Sequence, residues 1–356
     1  MGRTKRIERS AKEIRNVIEN QGLKYILVNN DLFKLYKQGK YNTGETIKDK
    51  KTGEEKDLIL NFDARFFSIY IGLKFLDQID FFGYKKEVAS FIKEKLSERR
   101  LRERLDNLKK IKMPVNNRFS KADGKHVLLE NPKSVDLVRK RGEIGFERNR
   151  KVKTDRWFCP WDCNRKLVKT ENGKELKPYD FFAVTIYDFD LYRNGILNDE
   201  EFVLYLYLVK SYNSNDKDKK GIAQTVSKIA ENLNVKNPDI VQKRLDKLVN
   251  LRVRDAYCNE GEDFPLLQTT KPKNHNQKLL TRNEPSLHYY PIYNDTTIEK
   301  INNKVEANEK EADGEFWGED LNSDSDLNNS DTELIEDTHL YKTDTKINKT
   351  DTDHPF

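Results

Sequence analysis

The sequence predicts a mainly α-helical α+β fold with small β-hairpins, made of two tandem copies of one unit and followed by an acidic tail. The first observation is a pair of short amphipathic segments in the second half of the chain, and the second is an earlier copy of that pair. The third is a segregation of charge. Residues 296–356 carry 17 Asp and Glu against 6 Lys, whereas the remainder carries 60 Lys and Arg against 43 Asp and Glu. The chain therefore consists of a basic body and an acidic extension.

The segment from Thr225 to Tyr257 contains two predicted helices joined by a tight turn at 234–237. The first helix has apolar residues at helical spacing, namely Val226, Ile229 and Leu233. The second has them at Val241, Leu245 and Leu248. Asn237 is a good N-cap, and Pro238 suits the first helical position because its missing N–H would have no partner there. An extended segment, 252–257, follows. This order is typical of a helix-turn-helix and the first strand of a wing, although any small helical hairpin gives a similar pattern.

The same pattern occurs earlier in the chain at a nearly constant offset. At an offset of 137 the matched residues are Ile59-Leu60-Asn61 with Ile196-Leu197-Asn198, Tyr70 with Tyr207, Ile92 with Ile229, and Leu96 with Leu233. After the turn the offset is 140, and the matches are Leu101 with Val241, Arg104-Leu105-Asp106 with Arg244-Leu245-Asp246, and Leu108 with Leu248. One register with one three-residue insertion indicates a duplicated unit, and so predicts two winged-helix domains.

The predicted organisation follows from these patterns. In order it comprises a basic N-terminal helix or arm at 1–22, winged-helix domain 1 at 23–130, a basic linker at 131–156, winged-helix domain 2 at 157–292, and a disordered acidic tail at 293–356. The arm either contacts phosphates or packs on the first domain as a leader helix. The linker either follows the phosphate backbone of a nucleic acid or is a passive, solvated segment.

In the first domain we expect a strand at 25–28, a polar surface segment at 37–57 and an apolar helix from Asp63 to Leu76. A second helix spans Lys85–Leu96, and Ser97 caps a third. Met113–Val115 and His126–Leu129 are expected to pair as a hairpin, which would form the wing.

The third helix of the first domain is the strongest candidate for DNA contact. Its core face holds Leu101, Leu105 and Leu108, so four arginines lie on or beside the outer face: Arg99, Arg100, Arg102 and Arg104. Arginine donates two hydrogen bonds to guanine O6 and N7 or clamps a phosphate. The predicted wing adds Arg118, Lys121 and Lys125. The alternative is a surface helix whose arginines pair with neighbouring acidic residues.

In the second domain we expect a hairpin turn at Glu171–Lys174, a strand at Phe181–Phe189 and a first helix at Asp199–Tyr212. The candidate DNA contacts are Lys236, Gln242, Lys243 and Lys247. The wing tip at 259–263 is acidic, which argues against phosphate contact there, so this domain contacts either bases or another protein.

Metal and enzyme chemistry have weaker support. Cys159 and Cys163 lack a second ligand pair of the kind that structural zinc uses, so we expect no metal and no cofactor. A P-loop and a paired-histidine nicking motif are both absent from the sequence. Asp188 and Asp190, after an apolar strand, are similar to the D-x-D motif of archaeo-eukaryotic-type primases, and Ser286-Leu287-His288 resembles their Ser-x-His element. Short motifs match often by chance, so we expect no enzyme, with a primase-like protein as an alternative.

Cysteine usage and hydropathy indicate the compartment. With three cysteines no disulfide framework is expected, which favours a reducing environment. No run is apolar enough for a signal peptide or a membrane span, so we expect a cytoplasmic protein without membrane contact.

Two successive winged-helix domains over residues 23–290 resemble the theta-type replication initiators of bacterial plasmids and phages. The resemblance implies that each domain binds one half of an origin repeat in double-stranded DNA, that the third helices carry the base contacts, and that a homodimer can form. The acidic second wing departs from that pattern. A winged-helix transcriptional regulator is the main alternative, and a single-stranded-DNA-binding protein is another.

The end of the tail carries a second resemblance. Asp351, Asp353, Pro355 and Phe356 form an acidic tip with a final Pro-Phe, which is similar to the tip of bacterial single-stranded-DNA-binding proteins. In that family the aromatic ring enters an apolar pocket on replication and repair enzymes. The resemblance implies that the tail recruits host replication proteins.

Overall fold

A computed structural model describes residues 9–22, 25–49, 52–93, 97–114, 119–122, 125–128, 134–147, 150–161, 164–170, 173–215, 222–254, 263–270, 288–294 and 297–298. All of them belong to one compact unit, Met1–Ala307. A second unit, Asn308–Phe356, contains most of the expected acidic tail and lies outside the described residues.

The described residues form helices and short antiparallel strand pairs, which confirms the mixed α+β class. The helices are α1 Ala11–Asn20, α2 Asp31–Gln38, α3 Ala64–Gln78, α4 Lys85–Ile92, α5 Glu98–Leu108, α6 Ile186–Arg193, α7 Asp199–Asn215, α8 Val226–Asn232 and α9 Pro238–Asn250. The strands before α6 are β1 Tyr25–Asn29, β2 Lys40–Lys48, β3 Glu55–Asn61, β4 Phe82–Gly83, β5 Lys112–Met113, β6 Phe119–Ala122, β7 Lys125–Leu128, β8 Val135–Asp136, β9 Arg139–Glu147, β10 Arg150–Phe158, β11 Asn164–Thr170, β12 Gly173–Tyr179 and β13 Phe181–Thr185. The later strands are β14 Ile222–Ala223, β15 Arg252–Arg254, β16 Asp263–Pro265, β17 Gln268–Thr270 and β18 His288–Tyr290.

The centre of the protein is formed by α3 and α7, which contact each other. Both helices are apolar on nearly all sides, and every residue of α3 from Phe67 to Leu76 is buried. A helix with apolar residues on all sides is stable only inside a core. Polar groups mark where each helix starts. Asp63 accepts hydrogen bonds from the first backbone N–H groups of α3, and Asn198 and Glu201 exchange hydrogen bonds at the start of α7.

The expected sequence repeat corresponds to a repeated topology. One copy runs α3–β4–α4–α5–β5 and the other α7–β14–α8–α9–β15. The sheets repeat as well, because β5 pairs with β8 as β15 pairs with β16, and the order β4-β10-β9 corresponds to β14-β18-β17. Even single hydrogen bonds recur. Ile111 O accepts from Leu137 N at 2.8 Å, and Leu251 O, at the equivalent position, accepts from Leu266 N at 3.1 Å.

A strand and a helix precede each copy, and the two strands pair with each other as an approximate two-fold relation between the copies requires. The segments are β1–α2 and β13–α6, and β1 pairs antiparallel with β13. The register joins Tyr25 to Thr185 at one end and Asn29 to Phe181 at the other. It is therefore symmetric about the central pair Leu27 and Ala183, as an exchange of the two strands by a two-fold axis requires.

Helices α2 and α6 lie between the copies and contact both. The Phe33 ring of α2 lies 4.9 Å from that of Phe67 in the first copy and 5.5 Å from that of Tyr207 in the second. The Phe189 ring of α6 lies 5.6 Å from that of Phe75 in the first copy and 6.2 Å from that of Phe202 in the second. The two copies thus share one core.

The strand pairing differs from two expectations about the first half. Lys112–Met113 pairs with Val135–Asp136, and the hairpin inside that loop joins Phe119–Ala122 to Lys125–Leu128, so the expected pairing of Met113–Val115 with His126–Leu129 is wrong. Residues 131–156, expected as a linker, contribute β8, β9 and most of β10. Pairing between distant strands, such as β10 with β4, is not visible in local patterns.

The strand expected over Phe181–Phe189 ends at Thr185, where α6 begins. The Thr185 hydroxyl accepts from Asp188 N at 3.0 Å, and the Asp188 carboxylate accepts from Thr185 N at 2.8 Å. This reciprocal capping box starts a helix within an apolar run whose periodicity indicated a strand. The second expected helix also ends earlier, at Ile92, and residues 94–96 are outside the described part.

Phe189→Ala should destabilise both copies together, because the fully buried ring contacts helices of each. Truncation of a buried Phe costs about 3–5 kcal/mol. Equilibrium unfolding in denaturant, followed by circular dichroism, should show one transition at lower denaturant concentration. Ile59→Ala, at a side chain that is 54% exposed, is the control and should change the midpoint little. Two separate transitions, with only one shifted, would contradict the shared core.

Candidate nucleic-acid interface

The outer face of α5 carries the exposed arginines. The side chains of Leu101, Leu105 and Leu108 are at most 1% exposed, and they fix the orientation of the helix. Three arginines are exposed on the other side: Arg99, Arg100 and Arg102. The Arg99 side chain is 89% exposed and makes an ion pair with Glu103 at 3.2 Å. An ion pair at such exposure is weak, so the guanidinium remains available to an anionic partner.

Arg104 differs from its neighbours because it is partly buried. Burial raises the pKa of Tyr192 in α6, the charge of Asp199 adds to the rise, and the charge of Arg104 opposes it. Arg244 is the matching residue of α9. Burial raises the pKa of Tyr36 in α2 to about 12, Glu200 adds to the rise, and Arg244 opposes it. Both arginines therefore lie near the shared α2 and α6 elements.

The predicted wing of the first copy is described only in part. Arg118 lies outside the described residues. Lys121 is in β6 opposite His126, and Lys125 is in β7 opposite Ala122, at the end of the hairpin next to the turn. The acidic wing tip of the second copy, at 259–263, is described only at Asp263, which pairs with Arg254 in the β15–β16 ladder.

The outer face of α9 is less basic. Asn237 caps the helix through Asp239 N at 2.9 Å, and Pro238 is its first residue, as expected. Lys236 and Lys243 are exposed. The other two candidates are engaged within the protein, because Gln242 donates to Asp246 at 2.7 Å and Lys247 Nζ lies 2.7 Å from both carboxylate oxygens of Glu201.

The N-terminal segment packs as a helix along its described length. Ile14 and Ile18 of α1 are fully buried, and α1 contacts α4. Arg15 makes ion pairs with Asp190 and, at 2.7 Å, with Glu19. Although burial lowers the pKa of Arg15, these carboxylates outweigh it and raise the pKa overall. Residues 9–22 thus fit the interpretation as a packed leader helix, and residues 1–8 lie outside the described part.

Asp188, one half of the D-x-D pair, is enclosed in the core. Its Oδ1 accepts from Tyr205 Oη at 2.6 Å, and its Oδ2 accepts from Asn294 Nδ2 at 2.6 Å and from both Thr185 N and Thr185 Oγ1 at 2.8 Å. Burial raises the pKa of Asp188, and the hydrogen bonds oppose the rise. The carboxylate therefore joins β13, α7 and the segment at Asn294.

Asp190 is two residues further along α6, so both carboxylates lie on a helix and not at the end of the strand expected over Phe181–Phe189. It lies between Arg15 and Arg193, whose NH2 group is 2.8 Å away. Burial raises the pKa of Asp190, and the two arginines oppose the rise. Its role is to hold α1 against α6. Of the primase-like His element, only His288 lies in the described part of the chain, in β18.

The thiol of Cys159 is buried, and burial raises its pKa. Its backbone N donates to Asp77 Oδ2 at 2.9 Å. Cys163 lies outside the described residues. Within the described ranges, no group of three or more His, Cys, Asp or Glu side chains is placed to hold a metal ion.

Sequence patterns did not indicate the buried network around Asp188. Its partners Tyr205 and Asn294 are 17 and 106 residues away. The one local indication of this network was the capping-box pattern of Thr185 and Asp188. The strand expected over Phe181–Phe189 assigned these residues to a different element.

Asp188→Asn should lower the free energy of unfolding, because an amide presents an NH2 group where the carboxylate accepts hydrogen bonds. An unsatisfied buried donor costs about 1–3 kcal/mol. Denaturant titration measures the decrease. Asp57→Asn, at an exposed carboxylate that accepts from Asn42, makes the same chemical change and should cost little. Equal stability of the two variants would show that the buried network contributes nothing.

No family model matches this chain, and no curated protein or solved structure matches it either. In the part of the chain that the structure describes, none of the helices combines the length and apolar composition needed to cross a bilayer. The function must therefore be inferred from the chain's own residues.

Proposed function

We propose that this chain is a sequence-specific duplex-DNA-binding protein with two winged-helix units, acting as a plasmid or phage replication initiator that binds origin repeats. The observation that carries the proposal is the α5 face. Arg99, Arg100 and Arg102 are exposed there on a helix anchored by three buried leucines. This helix is the third of its copy, which is the helix that enters the major groove in winged-helix and related helix-turn-helix proteins.

The two-fold relation of the copies supports a composite site. A two-fold pair of helix-turn-helix units presents its recognition helices to successive major grooves on one side of the duplex. Because α2 and α6 belong to a core that both copies share, the spacing between α5 and α9 is held by packing. Each unit then contacts one half of a repeat, with the first supplying most of the charge.

The second copy contributes differently. Among its candidate residues, Lys236 and Lys243 are exposed and have no role within the proposal other than DNA contact, whereas Gln242 and Lys247 are held by Asp246 and Glu201. To contact DNA, Gln242 must break its hydrogen bond to Asp246 and form one to a base edge instead. We therefore propose that α9 adds fewer base contacts than α5.

Arg99→Ala combined with Arg102→Ala should abolish sequence-specific binding while the fold stays intact, because both side chains are exposed. Removing one bidentate base contact costs about 1–3 kcal/mol. A mobility-shift titration at fixed salt measures the change. The matched control is Lys34→Ala with Arg65→Ala, two side chains that are 78% and 56% exposed on α2 and α3. Unchanged affinity of the Arg99 and Arg102 variant refutes the assignment of α5.

A footprint on DNA flanking the gene distinguishes the initiator from its alternatives. Tandem repeats protected at one-turn spacing favour an initiator, and a single promoter palindrome favours a transcriptional regulator. Protection of single-stranded DNA alone would favour a single-strand-binding or primase-like protein.

The acidic tail would recruit host replication proteins in the cytoplasm through its tip of Asp351, Asp353, Pro355 and Phe356. Those residues lie outside the described part of the chain, so this proposal rests on sequence alone. The segregation of charge along the chain supports this proposal, because phosphates repel an acidic tail and attract the basic body. The tail is then left accessible to a protein partner.

Deletion of Pro355 and Phe356 should leave duplex binding unchanged and abolish capture of the host enzyme that binds single-strand-binding-protein tips. The measurement is a pull-down with purified enzyme, competed by a tip peptide. Thr343→Ala with Thr345→Ala is the control, since it changes two residues of the tail and leaves the tip intact. Equal capture by truncated and full-length proteins would contradict the proposal.

A further inference from the structure

Lys247 of α9 is held by a buried carboxylate in the first turn of α7. Its Nζ lies 2.7 Å from both Oε1 and Oε2 of Glu201. The Lys247 side chain is 50% exposed, whereas that of Glu201 is 7% exposed. Removing one partner of a buried ion pair is strongly destabilising, because the other charge stays buried without compensation. Lys247 therefore cannot leave Glu201 for a phosphate without a large loss of stability.

The Glu201 side chain is oriented by a second interaction, which does not involve α9. Asn198 precedes α7, and its Oδ1 accepts from Glu201 N at 2.9 Å, while Glu201 Oε2 accepts from Asn198 N at 3.0 Å. This reciprocal exchange is a capping box, which fixes the side chain of the third helical residue. Because α9 contacts α7, the carboxylate is a fixed point against which α9 is held through Lys247.

The first copy provides an internal contrast. At the matching positions it has Ala64 and Asn107, which cannot form an ion pair. Just beyond α5, Lys110 Nζ lies 2.9 Å from Glu45 Oε2 of β2, and these side chains are 37% and 54% exposed. An ion pair at such exposure contributes little to stability. A buried ionic contact to the third helix is therefore not a general property of the repeated unit.

The place of Lys247 along α9 separates it from the other candidate cations of the second copy. It is three residues before the end of the helix at Asn250, whereas Lys236 precedes the helix and Lys243 is about one turn before Lys247. In helix-turn-helix proteins the N-terminal residues of the recognition helix contact base edges. The three exposed arginines of α5 also lie in the first half of their helix. The position of Lys247 thus suits a contact that holds the helix.

We propose that Lys247 is a positioning residue, which holds α9 against α7 through Glu201 and does not itself bind DNA. Lys247 lies to one side of the buried stripe of Val241, Leu245 and Leu248, so its ion pair opposes rotation of α9 about its axis. Base contacts by the first half of α9 depend on that orientation. The part of the proposal that concerns DNA rests on the proposed function, whereas the contact between α7 and α9 can be measured without DNA.

The first measurement is a double-mutant cycle on thermal stability. Lys247→Met removes the charge at similar side-chain length, and Glu201→Gln removes the carboxylate charge but can still accept from Asn198 N. Lys247→Met should lower the thermal midpoint. Adding Glu201→Gln should restore part of that loss, because no buried charge is then left unpaired. The matched cycle is Lys110→Met with Glu45→Gln at the exposed pair, where we expect no measurable coupling.

The second measurement separates a positioning residue from a DNA contact. Affinity for the footprinted duplex and for a mixed-sequence duplex is measured over a series of salt concentrations. Lys243→Met is the comparator, and it should lower the slope of log affinity against log salt by about 0.9, because one phosphate is no longer neutralised. Lys247→Met should keep the wild-type slope and reduce the preference for the footprinted duplex by about 5- to 150-fold, the factor that one base contact provides. Adding Glu201→Gln should recover part of that preference, and Lys247→Arg should retain it.

An equal decrease in slope for Lys247→Met and Lys243→Met, with no recovery by Glu201→Gln, would show that Lys247 neutralises a phosphate and would overturn the proposal. So would an unchanged preference in Lys247→Met, whatever its stability. Failure of the proposed function has a different signature. If wild-type protein binds both duplexes equally well, or binds neither, the proposed function is wrong. The stability cycle then decides alone, since coupling between Lys247 and Glu201 supports the positioning role and its absence refutes it.

Discussion

The antiparallel pairing of β1 with β13 is the constraint on which the rest of the structure depends. Its register pairs Leu27 with Ala183, the central residues of the two strands, as a two-fold relation between the copies requires. It also places α2 and α6 between the copies, where Phe33 and Phe189 each pack against both. A side chain that completes two units at once couples their stabilities. The spacing of α5 and α9 is thus a property of the core and not of a linker.

Helical periodicity separates two roles among the arginines of α5. Arg99 and Arg102 lie opposite the leucine stripe and are exposed, whereas Arg104 lies beside it, is partly buried, and opposes the rise in the pKa of Tyr192. The equivalent Arg244 of α9 has the same relation to Tyr36. The charges of both arginines thus act on a tyrosine of α2 or α6, and both side chains are less exposed than that of Arg99. Charge alone does not distinguish such a residue from one that contacts a ligand.

Buried carboxylates complete the attachment of α6. Asp188 is held by four hydrogen bonds from β13, α7 and Asn294, and Asp190 by Arg15 and Arg193. A buried charge is tolerated when its hydrogen bonds and ion pairs compensate for lost hydration. Here each group ties together segments that are distant in sequence. The same D-x-D spacing that suggests metal chemistry on a strand has a structural role on a helix.

The sequence by itself determined the features that depend on neighbouring residues. The duplicated helices, the cap at Asn237 and Pro238, the leucine stripe of α5 and the pairing of β11 with β12 all follow from local periodicity and backbone chemistry. Tertiary structure decided the features that depend on distant pairing. Residues 131–156 were expected as a linker, but they contribute strands, and one of these, β10, pairs with the distant β4. The burial of Asp188 depends on hydrogen bonds from Tyr205 and Asn294. Those contacts are stabilised only after the chain has closed long loops, so no local pattern indicates them.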